Sequence, residues 1–432
     1  MPTDTITISK GYKSTEIGVI PVDWDIEKLG DISTKVGSGI TPTGGEKVYK
    51  LEGRPFLRSQ NIGWGNLILD DVVFIDDEIH NTFNSTEIKE GDVFLNITGA
   101  SIGRSGIADK RVVNGNVNQH VCIIRTQESL LTPQYLNYFL LSNIGQSYID
   151  SFQAGGNRQG LNFEQIKSIQ VIKPSIPEQD SIVGVLSDTD ALIRKLEKLI
   201  QKKKSIKQGA MQELLTGKRR LPGFSGEWEE KPISKFTWFQ EGPGVRTHQF
   251  TQSGVKLLNG TNIFKGKLLL DNTNRFISES EAYGPYSHFL VDEGDIVIAS
   301  SGITVDKFEE KISFVKKEHL PLCMNTSTIR FKIIDSLMEP LFLYYFFMSK
   351  KFKDQIGAQA TGSAQLNFGP SHLEKVEIYL PKEKKEQTAL ATVLSDMDTE
   401  IERLESELAK YEDIKQGMMQ TLLTGKIRLL TK

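Results

Sequence analysis

Ile206-Lys-Gln-Gly-Ala-Met-Gln-Glu-Leu-Leu-Thr-Gly-Lys218 returns later in the chain as Ile414-Lys-Gln-Gly-Met-Met-Gln-Thr-Leu-Leu-Thr-Gly-Lys426. Upstream, Val185-Leu-Ser-Asp-Thr-Asp190 returns as Val393-Leu-Ser-Asp-Met-Asp398 at the same offset. Roughly half the positions across the whole segment are identical, more than two helices share by composition alone. The stretches before these segments also correspond, more weakly. Trp24 answers Trp228, Asn61-Ile62 answers Asn262-Ile263, and Gly91-Asp92-Val93 answers Gly294-Asp295-Ile296. Asn118 answers Asn325, and Leu161-Asn162-Phe163 answers Leu366-Asn367-Phe368. The chain is therefore written twice, each half a variable globular domain followed by a nearly constant helix.

The repeated segments read as long helices. In the second, Leu394, Met397, Ile401, Leu404, Leu408, Tyr411, Met418 and Leu422 follow alternating three- and four-residue steps, interrupted by Lys415. The first carries Leu186, Ile193, Leu196, Ile200, Ala210 and Leu214 on the same seam, with Lys203 and Lys207 as its polar breaks. Such spacing is a coiled-coil seam, and Ile193, Leu196, Ile200 and Leu214 are expected to pair with Ile401, Leu404, Leu408 and Leu422. The first helix is basic (Arg194, Lys195, Lys198, Lys202, Lys203, Lys204, Lys207 against Glu197). The second begins acidic (Asp396, Asp398, Glu400, Glu402, Glu405, Glu407 against Arg403). Antiparallel pairing sets the basic end of one beside the acidic start of the other. The alternative is two independent amphipathic helices, each packed on its own domain.

The domains read as mixed α/β (α+β). Strands are expected at Val72–Ile75, Val93–Ile97, Val121–Arg125, Ile169–Ile172, Ile296–Ala299, Thr328–Ile333 and Val376–Leu380, with turn-forming Gly, Asn and Asp between them. Helices are expected at Pro133–Ile149 and Pro340–Ile356, each with an early proline. The expected architecture is two pseudo-repeated globular domains, 1–175 and 223–380, separated by two long antiparallel coiled-coil helices at 176–222 and 381–432.

With 432 residues, 38% hydrophobic and 25% charged, the chain suits a folded protein of several domains. Met1 to Lys13 is polar without a secretory apolar core, and the longest apolar run, Leu341 to Met348, is far too short to span a bilayer. The two cysteines, Cys122 and Cys323, sit in apolar stretches and read as buried thiols of a reducing compartment, so a cytoplasmic location is expected. The six histidines lack metal-ligand spacing. The net charge of −3 counts mildly against DNA binding by the isolated chain, because phosphate affinity rests on local lysine and arginine.

Two variable domains alternating with two near-identical long helices resemble the specificity (S) subunits of type I restriction–modification enzymes. The resemblance is carried by the helix ends at 208–218 and 416–426 and by the domain starts Gly18-Val-Ile-Pro-Val-Asp-Trp24 and Gly223-Phe-Ser-Gly-Glu-Trp228. Leu161-Asn-Phe163 and Leu366-Asn-Phe368, leading to Glu178-Gln179 and Glu386-Gln387, add to it, so it covers essentially the whole chain. It implies that each variable domain, a target recognition domain, binds one half of a bipartite, asymmetric double-stranded DNA site. It implies that the helices set the gap and dock two modification (methyltransferase) subunits, with restriction (endonuclease/translocase) subunits completing the nuclease. S-adenosylmethionine, ATP and Mg are then expected on those partners, and none on this chain. It further implies a quasi-circular chain, in which Ile20-Pro-Val-Asp-Trp24 meets Gly425-Lys-Ile-Arg-Leu429. About thirty helical residues span about 45 Å, enough to cover neighbouring major-groove segments about 34 Å apart.

The sequence offers no enzyme of its own. It lacks an Asn-Pro-Pro-Tyr or Asp-Pro-Pro-Tyr motif, a Walker phosphate loop and a Gly-x-Ser-x-Gly elbow. Asp306 with Glu309-Glu-Lys311 is only a faint echo of a nuclease metal site. Base reading calls for Arg, Asn and Gln, and phosphate contact for Lys, Arg, Ser and Thr. Polar loops of that kind recur at matching places. In the first domain the candidates are Arg58, Gln60, Asn61, Ser101, Arg104, Asn118, Asn157, Arg158 and Gln159; in the second, Asn259, Thr261, Asn262, Ser301, Asn325, Ser363 and Gln365. The competing reading of each is an ordinary surface turn. Trp64 and Phe264 are candidates for thymine-methyl contact, or anchors of their own loops. The competing reading of the whole is a coiled-coil scaffold that binds no DNA, or an enzyme with a divergent site.

Overall fold

A computed structural model describes residues 10–153, 160–357 and 365–429. Two compact units emerge, Met1–Glu197 with Ser406–Lys432, and Lys198–Glu405. Their boundary cuts through two helices of 39 residues each, Ile176–Leu214 and Lys384–Leu422. Each unit thus takes the start of one helix and the end of the other. No helix among the described residues is long and apolar enough to cross a membrane.

The two units repeat one sheet plan. In the first, Ser33–Ser38, Val121–Thr126, Val93–Asn96 and Ser105–Ile107 form an antiparallel four-stranded sheet in that spatial order. In the second, Thr237–Glu241, Thr328–Ile333, Ile296–Ala299 and Ile312–Phe314 do the same. A second sheet of three strands flanks each, and in both its central strand pairs in parallel with a later one: Arg54–Leu57 with Asn116–Val117, and Val255–Leu258 with Leu322–Met324. The central strands read as apolar because both faces are covered. Val121 to Ile124 and Ile296 to Ala299 are buried throughout. A two-stranded pairing then returns the chain to the long helices: Asp25–Lys28 with Gln170–Lys173, and Trp228–Pro232 with Glu377–Pro381.

The expected helices Pro133–Ile149 and Pro340–Ile356 are each two helices. The first breaks at Ser142 into Pro133–Leu141 and Asn143–Ser151, and the second at Ser349 into Pro340–Met348 and Lys350–Gly357. Both serines are extended (ψ 162° and 154°), and each hydroxyl accepts a backbone N–H of the new helix, from Gly145 and from Phe352. Serine competes with the backbone for these bonds, so it caps a helix more readily than it continues one. Gly145 is needed at the bend, since a Cβ there would lie 2.3 Å from the Phe139 carbonyl oxygen.

The long helices run antiparallel. Lys203 pairs with Glu400 at 2.7 Å and Lys204 with Glu405 at 2.6 Å in one unit, while Lys415 pairs with Asp190 at 2.7 Å in the other. Along the seam Ile193, Leu196, Ile200, Leu214, Ile401, Leu404 and Leu422 are buried, and Leu408 is half-buried. The helices are not independent, because the end of each closes the core beside the other's start. Met419, Leu422 and Leu423 join Ile182, Leu186 and Trp24 in the first unit's core. Met211, Leu214 and Leu215 join Leu390, Ala391 and Leu394 in the second's.

The polar breaks in the seam are built twice. Tyr138 donates its hydroxyl to Asp190 at 2.7 Å, and Asp190 pairs with Lys415. Tyr345 donates to Asp398 at 2.8 Å, and Asp398 pairs with Lys207 at 2.5 Å. Each lysine is thereby neutralised where it leaves the apolar seam, and these off-core ion pairs help fix the register of the helices.

Candidate nucleic-acid interface

The polar loops lie beyond the ends of the sheet strands, and much of their polar chemistry is used inside the fold. Asn61 is buried. Its Oδ1 accepts the N–H of Arg58 at 2.9 Å, and its Nδ2 donates to Ile68 O at 2.9 Å and Asp71 Oδ1 at 3.0 Å. Asn262 does the same work in the second unit, accepting from Asn259 N at 3.0 Å and donating to Leu269 O at 3.3 Å. A short polar side chain that closes a turn satisfies backbone groups that would otherwise be orphaned. Asn118 and Asn325 are buried as well. Asn118 accepts from His120 N, while Asn325 accepts from Val245 N and donates to Asn259 Oδ1 at 2.9 Å.

The remaining candidates are more open. Arg58 pairs with Asp71 at 3.4 Å and lies over the Tyr49 ring, and Gln60, exposed, donates to the same Asp71. Ser101 and Arg104 are half-buried, and the buried Nε of Arg104 has no hydrogen-bond partner among the described residues. Thr261, Ser301 and Gln365 are exposed. Asn157, Arg158, Gln159 and Ser363 lie outside the described residues. Trp64 and Phe264 are exposed at matching hairpins.

Folding gathers a set that sequence reasoning found only in part. In the first unit Thr98 Oγ1 lies 2.6 Å from His120 Nδ1, and His120 Nε2 lies 3.0 Å from Gln119 Nε2. Thr41 donates to Gln119 Oε1, and Thr98 bridges to Gly160. In the second unit Asn367 Oδ1 accepts from Gly302 N at 3.0 Å, and Phe368 N donates to Ser300 O at 3.0 Å. Thr41, Thr98 and His120 were not singled out from sequence, and Asn367 stood out only as part of a repeated motif. The signal lay in the duplicated Leu-Asn-Phe motif, which turns each chain back against the polar loop after a central strand: Leu161 N donates to Ile97 O at 2.9 Å, and Leu366 N to Ile303 O at 2.7 Å.

Two glycines hold these loops close to the sheet. A Cβ on Gly39 would meet the Val117 carbonyl oxygen at 1.6 Å, and one on Gly242 would meet that of Asn325 at 2.1 Å. Beneath the loops sits a repeated ion pair. Arg125 grips Asp92 at 2.7 and 2.8 Å, and Arg330 faces Asp295 at 3.6 Å while lying over the Trp238 ring. Burial raises the Asp295 carboxyl above the usual range, opposed in part by Arg330.

Among the described residues no group of three His, Cys, Asp or Glu side chains is placed to hold a metal ion. Glu309 accepts from Lys353 at 2.6 Å, and Lys311 donates to Ile263 O at 2.7 Å, so both serve the packing of their own domain. The described geometry is that of two units built on one sheet plan, each with a core closed by the start of one long helix and the end of the other.

Comparison with known proteins places that class. The family model described as type I restriction modification DNA specificity domain matches residues 21–208 and again 226–411. The chain belongs to this family, and the family is one of specificity subunits rather than catalytic ones. It is 26% identical over 420 residues to the type I restriction enzyme MjaVIII specificity subunit of Methanocaldococcus jannaschii, covering 95% of this chain and 94% of that protein. It is 26% identical over 185 residues, 42% of this chain and 38% of the other, to the EcoBI specificity subunit of Escherichia coli. Among solved structures, the fold is shared with the S subunit of a type I restriction–modification system from M. genitalium (TM-score 0.53, 13% identity, 96% and 98% covered). It is also shared with a chain from a study of complex assembly and conformational transition of the type I system (TM-score 0.59, 12% identity, 94% and 99% covered).

Proposed function

We propose that this chain is the DNA-sequence-reading subunit of a type I restriction–modification complex. Each globular domain binds one half of a bipartite, asymmetric double-stranded site. The helix pair sets the gap between the halves and docks modification subunits, two per chain, with restriction subunits joining them. S-adenosylmethionine belongs on the modification subunits, and ATP and Mg on the restriction subunits; this chain contributes selection and geometry.

One observation supports the reading above the others. The same sheet plan occurs twice with different polar side chains at matching places in its loops: Thr98, Gln119 and His120 in one unit answer Ser301, Thr326 and Ser327 in the other. A repeated frame with unlike donors and acceptors is what two different half-sites require. Arg58, Gln60, Ser101, Arg104, Thr261 and Gln365 join these as proposed contacts, as do Asn157, Arg158, Gln159 and Ser363, which lie outside the described residues. Asn61, Asn118, Asn259, Asn262 and Asn325 act mainly by fixing loop shape. The net charge of −3 fits a subunit whose partners supply part of the phosphate contact. The test is selection of duplexes from a random library by the complex with its modification subunits. Recovery of one split motif supports the reading, and recovery of none overturns it.

A further inference from the structure

The two units satisfy one loop carbonyl in different ways. The turn Arg58–Asn61 of the first unit corresponds to Asn259–Asn262 of the second, so Ser59 corresponds to Gly260. In the first unit Asn96, buried at the end of strand Val93–Asn96, donates its Nδ2 to Ser59 O at 2.8 Å. The matching strand of the second unit, Ile296–Ala299, ends in an alanine with nothing to donate; a Cβ on Gly260 would lie 3.1 Å from the Cβ of Ala299. There a lysine serves instead. Lys311 Nζ donates to Gly260 O at 3.4 Å and to Ile263 O at 2.7 Å.

The counterpart of Lys311 is Arg104. Ile107 pairs with Val93 as Phe314 pairs with Ile296, and each cation stands three residues before that partner. The register sets Arg104 opposite Asn96, whose N–H donates to Arg104 O at 2.9 Å. Asn96 already serves the Ser59 carbonyl, so Arg104 is released from the work that Lys311 does. Its guanidinium makes no hydrogen bond, ion pair or ring contact among the described residues. Its Nε is closed off from solvent without a partner, and so is Oδ1 of Asn96 across the strand pair. A buried donor and a buried acceptor left open at facing positions are rare in a finished fold. The half-buried stem holds the guanidinium as a planar fork. The base edge that such a fork fits is that of guanine, whose O6 and N7 accept side by side in the major groove.

We propose that Arg104 is a specificity-determining residue of the first domain, reading a guanine in that domain's half-site, and that Asn96 is a positioning residue that keeps it free to do so. The second domain reads no base from this position, because its cation there is bound to its own loop. The inference rests on the DNA-reading function proposed above, and it adds one base and the residue that selects it.

The experiment is selection of duplexes from a random library by the complex with its modification subunits, using wild type, Arg104→Ala and Asn96→Ala. The half-site of the first domain is the one that persists when residues 223–380 are replaced by the second domain of a relative. Wild type is expected to require guanine at one position of that half. Arg104→Ala loses that preference by roughly five- to a hundredfold, with every other position and the second half intact. It removes no hydrogen bond or ion pair among the described residues, so it folds as wild type does. Asn96→Ala lets the guanidinium fall back onto the Ser59 carbonyl, as Lys311 does onto Gly260, and loses the same single preference with Arg104 still present. An Asn96→Ala complex that keeps the preference overturns the positioning role. Arg104→Ala that weakens binding evenly, with every preference kept, identifies a phosphate contact and overturns the inference. An unchanged motif, or a first half-site without guanine, overturns it too, and the DNA-reading function survives all of these. A wild-type complex that selects no motif overturns that function itself.

Discussion

Arg428 and Glu178, 250 residues apart, form a two-pronged ion pair, Nε to Oε1 at 2.6 Å and Nη2 to Oε2 at 2.8 Å. The same guanidinium reaches Asp23 at 2.9 and 3.0 Å, and Trp24 donates its indole N–H to Glu178 at 3.0 Å. The second unit holds the same set with an unbroken backbone. Arg220 grips Glu386 at 2.6 and 2.7 Å, and Trp228 donates to it at 3.3 Å. Asp23, Trp24 and Arg428 thus build through side chains the junction that Arg220 and Trp228 make within one continuous stretch, and Tyr12 adds a hydrogen bond to the Gly425 carbonyl at 2.9 Å.

Removing the clasp leaves a buried carboxylate without its cation. Arg428→Ala is expected to destabilise the first unit by about 2–3 kcal/mol, because an unpaired buried charge costs more than the pair contributed. Hydrogen exchange would speed at residues 18–28 and at the end of the second long helix, with the second unit unchanged. Arg220→Ala should place the same loss in the second unit.

The tight glycines permit a test of half-site independence. Gly242→Ala forces the Asn325 backbone away from a 2.1 Å contact, and Gly39→Ala forces away Val117 from 1.6 Å. Each is expected to degrade selection at one half of the recognised motif by at least about tenfold while the other half stays readable, since each wrong base pair costs about 1–3 kcal/mol. Base preferences measured position by position in the selected duplexes would show the split.

Asp295 makes the second unit respond to pH. Its carboxyl is raised by burial, so the folded state binds the proton more tightly than the unfolded state does. Its contribution to stability is therefore greatest when it is protonated and declines as pH rises from the usual carboxylate range through the raised folded value. Asp295→Asn lacks this dependence. The stability of Asp295→Asn relative to wild type should rise between pH 4 and pH 7, as followed by denaturant melts at each pH.

Cys122 and Cys323 are buried, and burial pushes both thiols up to about 12. Thiolate is the reactive form. The native chain should leave both unmodified by a disulfide thiol reagent at pH 8, and unfolding in denaturant should release both to rapid reaction.

The helix pair was legible because a heptad seam, a charge asymmetry and a repeat at one fixed offset all pointed the same way. Ile296–Ala299 and Thr328–Ile333 were legible as strands because apolar β-branched runs have few other homes. The breaks at Ser142 and Ser349 were not, since a serine within an apolar helical pattern caps or continues the helix according to its tertiary neighbours. The same limit applies at the loops. Asn61 and Asn262 carry the donors and acceptors of base readers, yet those groups close turns. Glu178-Gln179 and Glu386-Gln387 were visible as repeated motifs without a job. Their glutamates hold the junction arginines, and Gln179 and Gln387 each accept a backbone N–H, of Thr132 and of Glu339, at 2.9 Å. Side-chain roles of this sort depend on contacts distant in sequence.

The most direct measurement is a map of methyl-adenine in the DNA of cells expressing the modification subunit with this chain, and with a version in which residues 223–380 are replaced by the second domain of a relative. The account predicts one bipartite motif that needs this chain, with the replacement changing one half-site and leaving the other half and the gap intact. Methylation that is unaffected by the chain, or by the exchange of its domain, would contradict it.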